Sequence, residues 1–169
     1  MLRILQRAAV FAIVMIAASH GASATVLLAP EGQFFSASFP KQPSQKISEK
    51  AGVVHTIYSS PEKERFLMMS HALWSTDADP TIAMQLVLNG FTDQISGELL
   101  SIEKRNFISA TGKKLAAKHF TFASSKVWGE GLIVMSGRHT YLIQVVVRKP
   151  STGLDDVGKK FISSFKVLN

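Results

Sequence analysis

Apolar residues recur along this chain with two different periods, and the switches between them outline a fold. Residues 33–39 alternate, placing Phe35, Ala37 and Phe39 on one side before Pro40 stops the run, which predicts a strand. The patch from Pro40 to Lys46 is polar and predicts a loop. Val53 to Tyr58 is β-branched and aromatic and ends at Ser59-Ser60-Pro61, a second strand. In Phe66 to Trp74, Phe66, Met68, Ala72 and Trp74 share one face while Leu67, Met69 and Leu73 share the other. A strand apolar on both faces is expected to be covered on both.

The period then lengthens. Met84, Val87, Leu88, Phe91 and Ile95 fall three or four apart and make one stripe. Asp79 is placed to cap it, Pro80 suits the first helical position, and Ser96-Gly97 suits the end. A helix is predicted over residues 80–95, weakened in its middle by Asn89-Gly90.

Four strand patterns with short links follow: residues 100–109, 115–123, 127–136 and 141–148. Links this short favour hairpins, hence an antiparallel meander. Gly129 and Gly131 lie on one side of the third of these and predict a bulge or close backbone packing. His139, in the last link, is expected as a solvated turn residue.

A second helix closes the chain, with Leu154, Val157, Phe161 and Phe165 as its buried stripe. Thr152 and Asp155 have roughly capping-box spacing. Asp155 and Asp156 stand four residues before Lys159 and Lys160, which predicts two outer-face ion pairs. The expected class is α+β: a mainly antiparallel sheet of about seven strands covered by two helices, in one domain over residues 25–169.

The first residues change the picture of where this domain works. Arg3 and Arg7 precede an uncharged apolar run from Ala8 to Ala18, and Ala22-Ser23-Ala24 supplies a small-x-small cleavage pattern, so residues 1–24 are expected to be a secretory signal peptide. The apolar run is about half the roughly 20 residues a bilayer core needs, so the processed chain is not expected to span a membrane. There is no cysteine, which excludes disulfides, thiolate nucleophiles and thiolate metal sites. Export without cysteine suits a bacterial periplasm or medium. Removing Arg3 and Arg7 takes the 19 basic residues to 17 against 12 acidic, a net charge of +5. That excess suits solubility and also an anionic envelope component; no basic, aromatic-interleaved run points to nucleic acid.

The strand Phe35-Ser-Ala-Ser-Phe39-Pro40, the middle helix, the late hairpin Gly131 to Gly137-Arg-His-Thr-Tyr141, and the closing Phe161-Ile-Ser-Ser-Phe165-Lys-Val167 together resemble small exported bacterial proteins with the fold of PsbP, the photosystem II extrinsic protein. The resemblance implies an antiparallel sheet between helices, an α/β/α sandwich, and a non-enzymatic accessory or binding role on an envelope partner. It offers no catalytic motif to transfer.

Candidate chemistry is sparse. The chain carries no Gly-x-Ser-x-Gly elbow, no phosphate-binding glycine loop and no His-Glu-x-x-His. Met69 and His71 point the same way from one strand, and a thioether with an imidazole suits Cu(I). The favoured reading is a core methionine beside a histidine at the sheet margin. The rival to a binding module, a small envelope enzyme or copper carrier, requires His55, His71 or His119 to converge on one another or on a carboxylate in a pocket. Trp74 and Trp128, near strand ends, are the candidates for a partner surface. No catalytic residue, cofactor or resident metal is assigned.

Overall fold

The computed structural model describes residues 25–151 and 153–169. The leader with its Ala22-Ser23-Ala24 site, and Thr152, lie outside the described residues.

The elements run β1 (Val26–Leu28), β2 (Phe35–Phe39), β3 (Ser44–Lys50), β4 (Val53–Pro61), β5 (Arg65–Trp74), α1 (Pro80–Ile95), β6 (Glu98–Ile108), β7 (Lys114–Ala123), β8 (Val127–Ser136), β9 (His139–Arg148), α2 (Asp156–Ser163) and β10 (Lys166–Val167). The class is α+β, with every strand pair antiparallel. Seven strands form the main sheet in the order β3-β4-β5-β9-β8-β7-β6, and β1-β2-β10 form a small one. The expected seven strands are therefore matched in number but not in membership. The first predicted strand, β2, belongs to the small sheet, and its place in the main one is taken by β3, which had been expected to be loop at its start.

The double-faced strand behaves as its pattern predicts. Leu67 and Met69 of β5 face a core shared with Phe35, Phe39, Phe161 and Val167, so β2, β10 and α2 cover that side. Met68 and Trp74 face the other side, where Met84, Leu88 and Phe91 of α1 pack on Phe120, Phe122, Ile133 and Leu142. The central strand β9 serves both, with Tyr141, Ile143 and Val145 towards α2 and Leu142 towards α1.

Local chemistry sets the helix ends. The Asp79 carboxylate accepts from the Thr81 and Ile82 amides at 2.8 and 3.1 Å, and Ser96, left-handed at φ 48°, terminates α1. For α2 the outcome differs from expectation. Val157 is 41 % exposed, and Gly158 faces the sheet instead. A Cβ on Gly158 would lie 3.3 Å from both Leu154 and Val145, so a side chain there would be tight between the helix and β9. Asp155 caps the Gly158 amide at 3.0 Å and pairs with Arg65 of β5, not with Lys159. Asp156 and Lys160 form no ion pair either: tertiary placement of α2 overrides the spacing along its surface. Among the described residues no helix is long and apolar enough to cross a membrane.

Candidate functional site

The seating of α1 on the sheet creates a gap beneath one flank. Gly129 and Gly131 of β8 pair with Phe122 and Phe120 of β7, and the two rings lie across the bare glycines. Phe91 of α1 then stands edge-on to Phe122, with ring centroids 4.7 Å apart. These contacts fasten α1 over β7 and β8. Over β4 and β5 the helix presents Gly90, whose missing Cβ would meet nothing within 4 Å, and the sheet answers with the short Ser70. Small groups facing each other leave a groove of about 280 Å³.

Its walls are mostly apolar: Ile57, Met68, Leu86, Val87, Phe91 and Leu142, with Trp74 among them. The Trp74 indole N–H donates to the Thr140 hydroxyl at 2.9 Å, and its backbone N–H to the Arg138 carbonyl at 3.0 Å. The ring is thus held by its polar edge while an apolar surface stays open to the groove. His55 is the single titratable side chain in the lining, and burial lowers its pKa. Gln94 adds a second polar side chain. Beside Met68, the Gln144 side chain is 1 % exposed; its amide N–H reaches only the Met68 sulfur at 3.9 Å, and its carbonyl oxygen has no hydrogen-bond partner.

The candidates from the sequence are not gathered at this groove. Trp74 lines it; Trp128 packs partly buried against the opposite core, so the two tryptophans lie on different faces of the sheet. Met69 and His71 share the α2-side face, as their spacing predicts, and both are buried. The His71 Nε2 is 2.9 Å from Nδ1 of His139, and the two rings stack at 5.1 Å with Tyr141 stacked on His71 at the same distance. Burial, then the neighbouring His139 and His55, lower the His71 pKa to about 4. His139 is lowered as well, by burial and by Arg138.

His139 is therefore not a solvated turn residue. The hairpin turn is only Gly137-Arg138, and His139 opens β9 in register with Ser136, half-buried with its ring edge-on to Phe34 at 5.9 Å. His55 lies on the α1 side of the sheet, His71 on the α2 side, and His119 pairs at 2.8 Å with Glu130, half-buried outside the groove. The three do not converge on one another. No cluster of three or more His, Asp and Glu side chains suited to a metal occurs among the described residues.

Four residues of the lining went unread as site residues in the sequence: Ser70, Leu86, Gly90 and Gln94. Only Gly90 left a mark there, as a glycine in the middle of the predicted helix. Compared with known proteins, the chain matches no family model, and no curated protein is similar to it.

Proposed function

We propose that the chain is an exported periplasmic binding module, released from a leader at Ala24, with a PsbP-like sandwich whose groove beneath α1 receives apolar side chains of an envelope partner protein. The groove carries this reading. At about 280 Å³ it lies just below the range for pockets that enclose organic ligands, and it is open rather than closed. Its apolar character continues onto the outer helix surface, where Leu86 is 57 % exposed. A small open cleft with an apolar rim and a fixed tryptophan suits one or two inserted side chains of a protein surface, with Trp74 as the anchoring contact. A non-enzymatic role fits a lining that brings one imidazole to mainly apolar neighbours.

Gly90→Leu tests the reading. The new side chain has open space, improves helix propensity, and fills the groove. A photo-crosslinking residue at Leu86 in protein recovered from envelope extract is expected to trap one protein partner, and Gly90→Leu in the same background is expected to abolish that adduct while raising thermal stability. N-terminal sequencing of the recovered protein is expected to begin at Thr25. An adduct that survives Gly90→Leu refutes the groove as the site.

A further inference from the structure

Beyond the N-terminal end of α1, the main sheet carries a corner that the helix leaves bare. There the α1-side face of β6 presents Ile102, Lys104, Asn106 and Ile108, directly opposite Phe120, Lys118, Ala116 and Lys114 of β7. Lys104 and Lys118 thus face each other across the ladder, an arrangement that raises the free energy of the fold because like charges stand in a direct cross-strand pair. Both line a groove of about 350 Å³ with Asn106 and the first turn of α1. The nearest carboxylate along that turn, Asp79, is engaged by the Thr81 and Ile82 amides.

The two faces of the same ribbon differ in charge balance. On the α2 side, Arg105 pairs with Glu103 at 2.8 Å and His119 with Glu130 at 2.8 Å. On the α1 side, none of Lys104, Lys114 and Lys118 has a carboxylate within 4.0 Å among the described residues. Flanking these ammonium groups on the same face, Ile102 is 42 % and Ile108 52 % exposed. Unpaired cations between exposed branched aliphatic side chains match the chemistry of a bilayer interface, where phosphates lie just above acyl carbon. No aromatic side chain lines the groove, so it lacks the stacking platforms of a single-strand nucleic-acid surface.

We infer that this corner of β6 and β7 docks on an anionic phospholipid surface, with Lys104 and Lys118 on the headgroup phosphates and Ile102 and Ile108 against the upper acyl region. The site is separate from the groove beneath Gly90, so Gly90→Leu leaves it intact.

Co-sedimentation with vesicles of phosphatidylglycerol in phosphatidylethanolamine tests it. Each lysine near an anionic surface is worth about a fivefold change in partitioning, so Lys104→Gln/Lys118→Gln is expected to weaken binding about thirtyfold. Lys104→Arg/Lys118→Arg is expected to bind as the parent does. Ile102→Ser/Ile108→Ser is expected to weaken binding without altering its salt slope, and raising sodium chloride towards about 1 M is expected to abolish binding, since screening then acts over about 3 Å. Lys159→Gln/Lys160→Gln removes the same charge from exposed positions on α2 and is expected to leave binding unchanged. Unfolding midpoints report that each variant is folded. Equal loss in the α2 pair, salt-insensitive binding, or full binding by the β6–β7 glutamine variant overturns the inference; tighter binding to single-stranded DNA than to vesicles overturns the choice of lipid.

Discussion

Consider Gly131→Ala, a single added methyl at the point that fastens α1 to the sheet. The backbone of Gly131 is not left-handed, so any residue could adopt its conformation, and loss of glycine freedom in the unfolded chain would by itself favour alanine by about 0.5–1 kcal/mol. Space decides the other way. The Cβ would lie 2.5 Å from Cζ of Phe120 and 2.8 Å from the Ile143 carbonyl oxygen. Ordinary contact needs the ring to retreat by about an ångström. The Phe120 ring is fully buried, 5.9 Å from Phe122 and 6.4 Å from Phe91, so it moves only by pushing α1 outward. The carbonyl belongs to β9, paired on both edges, and cannot give way. Overpacking of this kind costs about 1–3 kcal/mol and sometimes more. We expect a net loss of about 2 kcal/mol, seen as a fall of about 5–8 °C in thermal midpoint and a lower urea midpoint at unchanged slope. Phe120→Leu/Gly131→Ala is expected to lose less than the sum of its single variants by about 1 kcal/mol, because the shortened side chain vacates the clash. Gly131→Ala as stable as the parent, or strict additivity in that cycle, would refute the account of how α1 is seated.

Two further outcomes follow from buried polar groups. Folding excludes the proton from His71, so between pH 4 and 6.5 the unfolded chain binds more protons and stability rises with pH. The contribution of His71 is complete above pH 6.5 and fades towards pH 4, by at most about 3 kcal/mol. Urea titrations across that window are expected to show the slope and His71→Phe to reduce it, with an unchanged slope counting against the buried pair. Gln144→Met removes a buried carbonyl oxygen without a partner while keeping length and volume. It is expected to raise stability by about 1 kcal/mol in thermal denaturation, and a loss would show that the amide is satisfied.

How much of this architecture was written in residue order depends on whether apolar burial shaped the element. Helix α1 was legible to the residue because its cap, its stripe and its stop each need particular side chains at fixed spacing. Strands β4, β5 and β7 to β9 were legible because each buries at least one face, whereas β6 has no fully buried residue and shows only Leu99, Ser101 and Phe107 half-buried. Strand β3 was not legible. Its sequence Ser-Gln-Lys-Ile-Ser-Glu-Lys is exposed throughout, so nothing in it alternates by burial. It is held instead by its ladder with β4 and by the Ala51-Gly52 turn, whose residues both have positive φ. Strands β1 and β10, of three and two residues, are shorter than any period can register.

The site failed to show for a related reason. The His71 and His139 pair joins residues that lie far apart in the chain, and a polar residue beside Gly137-Arg138 carries the same local signal whether it faces solvent or opens a strand. The groove is harder still, because it is made by what is missing. Asn89-Gly90 was read for its effect on helix propensity, as a weak point, yet α1 runs unbroken through it, with Gln85 donating to Asn89 at 2.8 Å across that turn. The consequence of Gly90 lies across the layer, where it and Ser70 line the same groove and leave open the volume that larger side chains would fill. A glycine at the flank of an apolar helical stripe therefore marks two things at once: a loss of helix stability, and a place where the opposing sheet has no partner. Where the opposing residue is also small, the two deficits add in volume, and a cleft forms that only a pair of distant positions, taken together, could have announced.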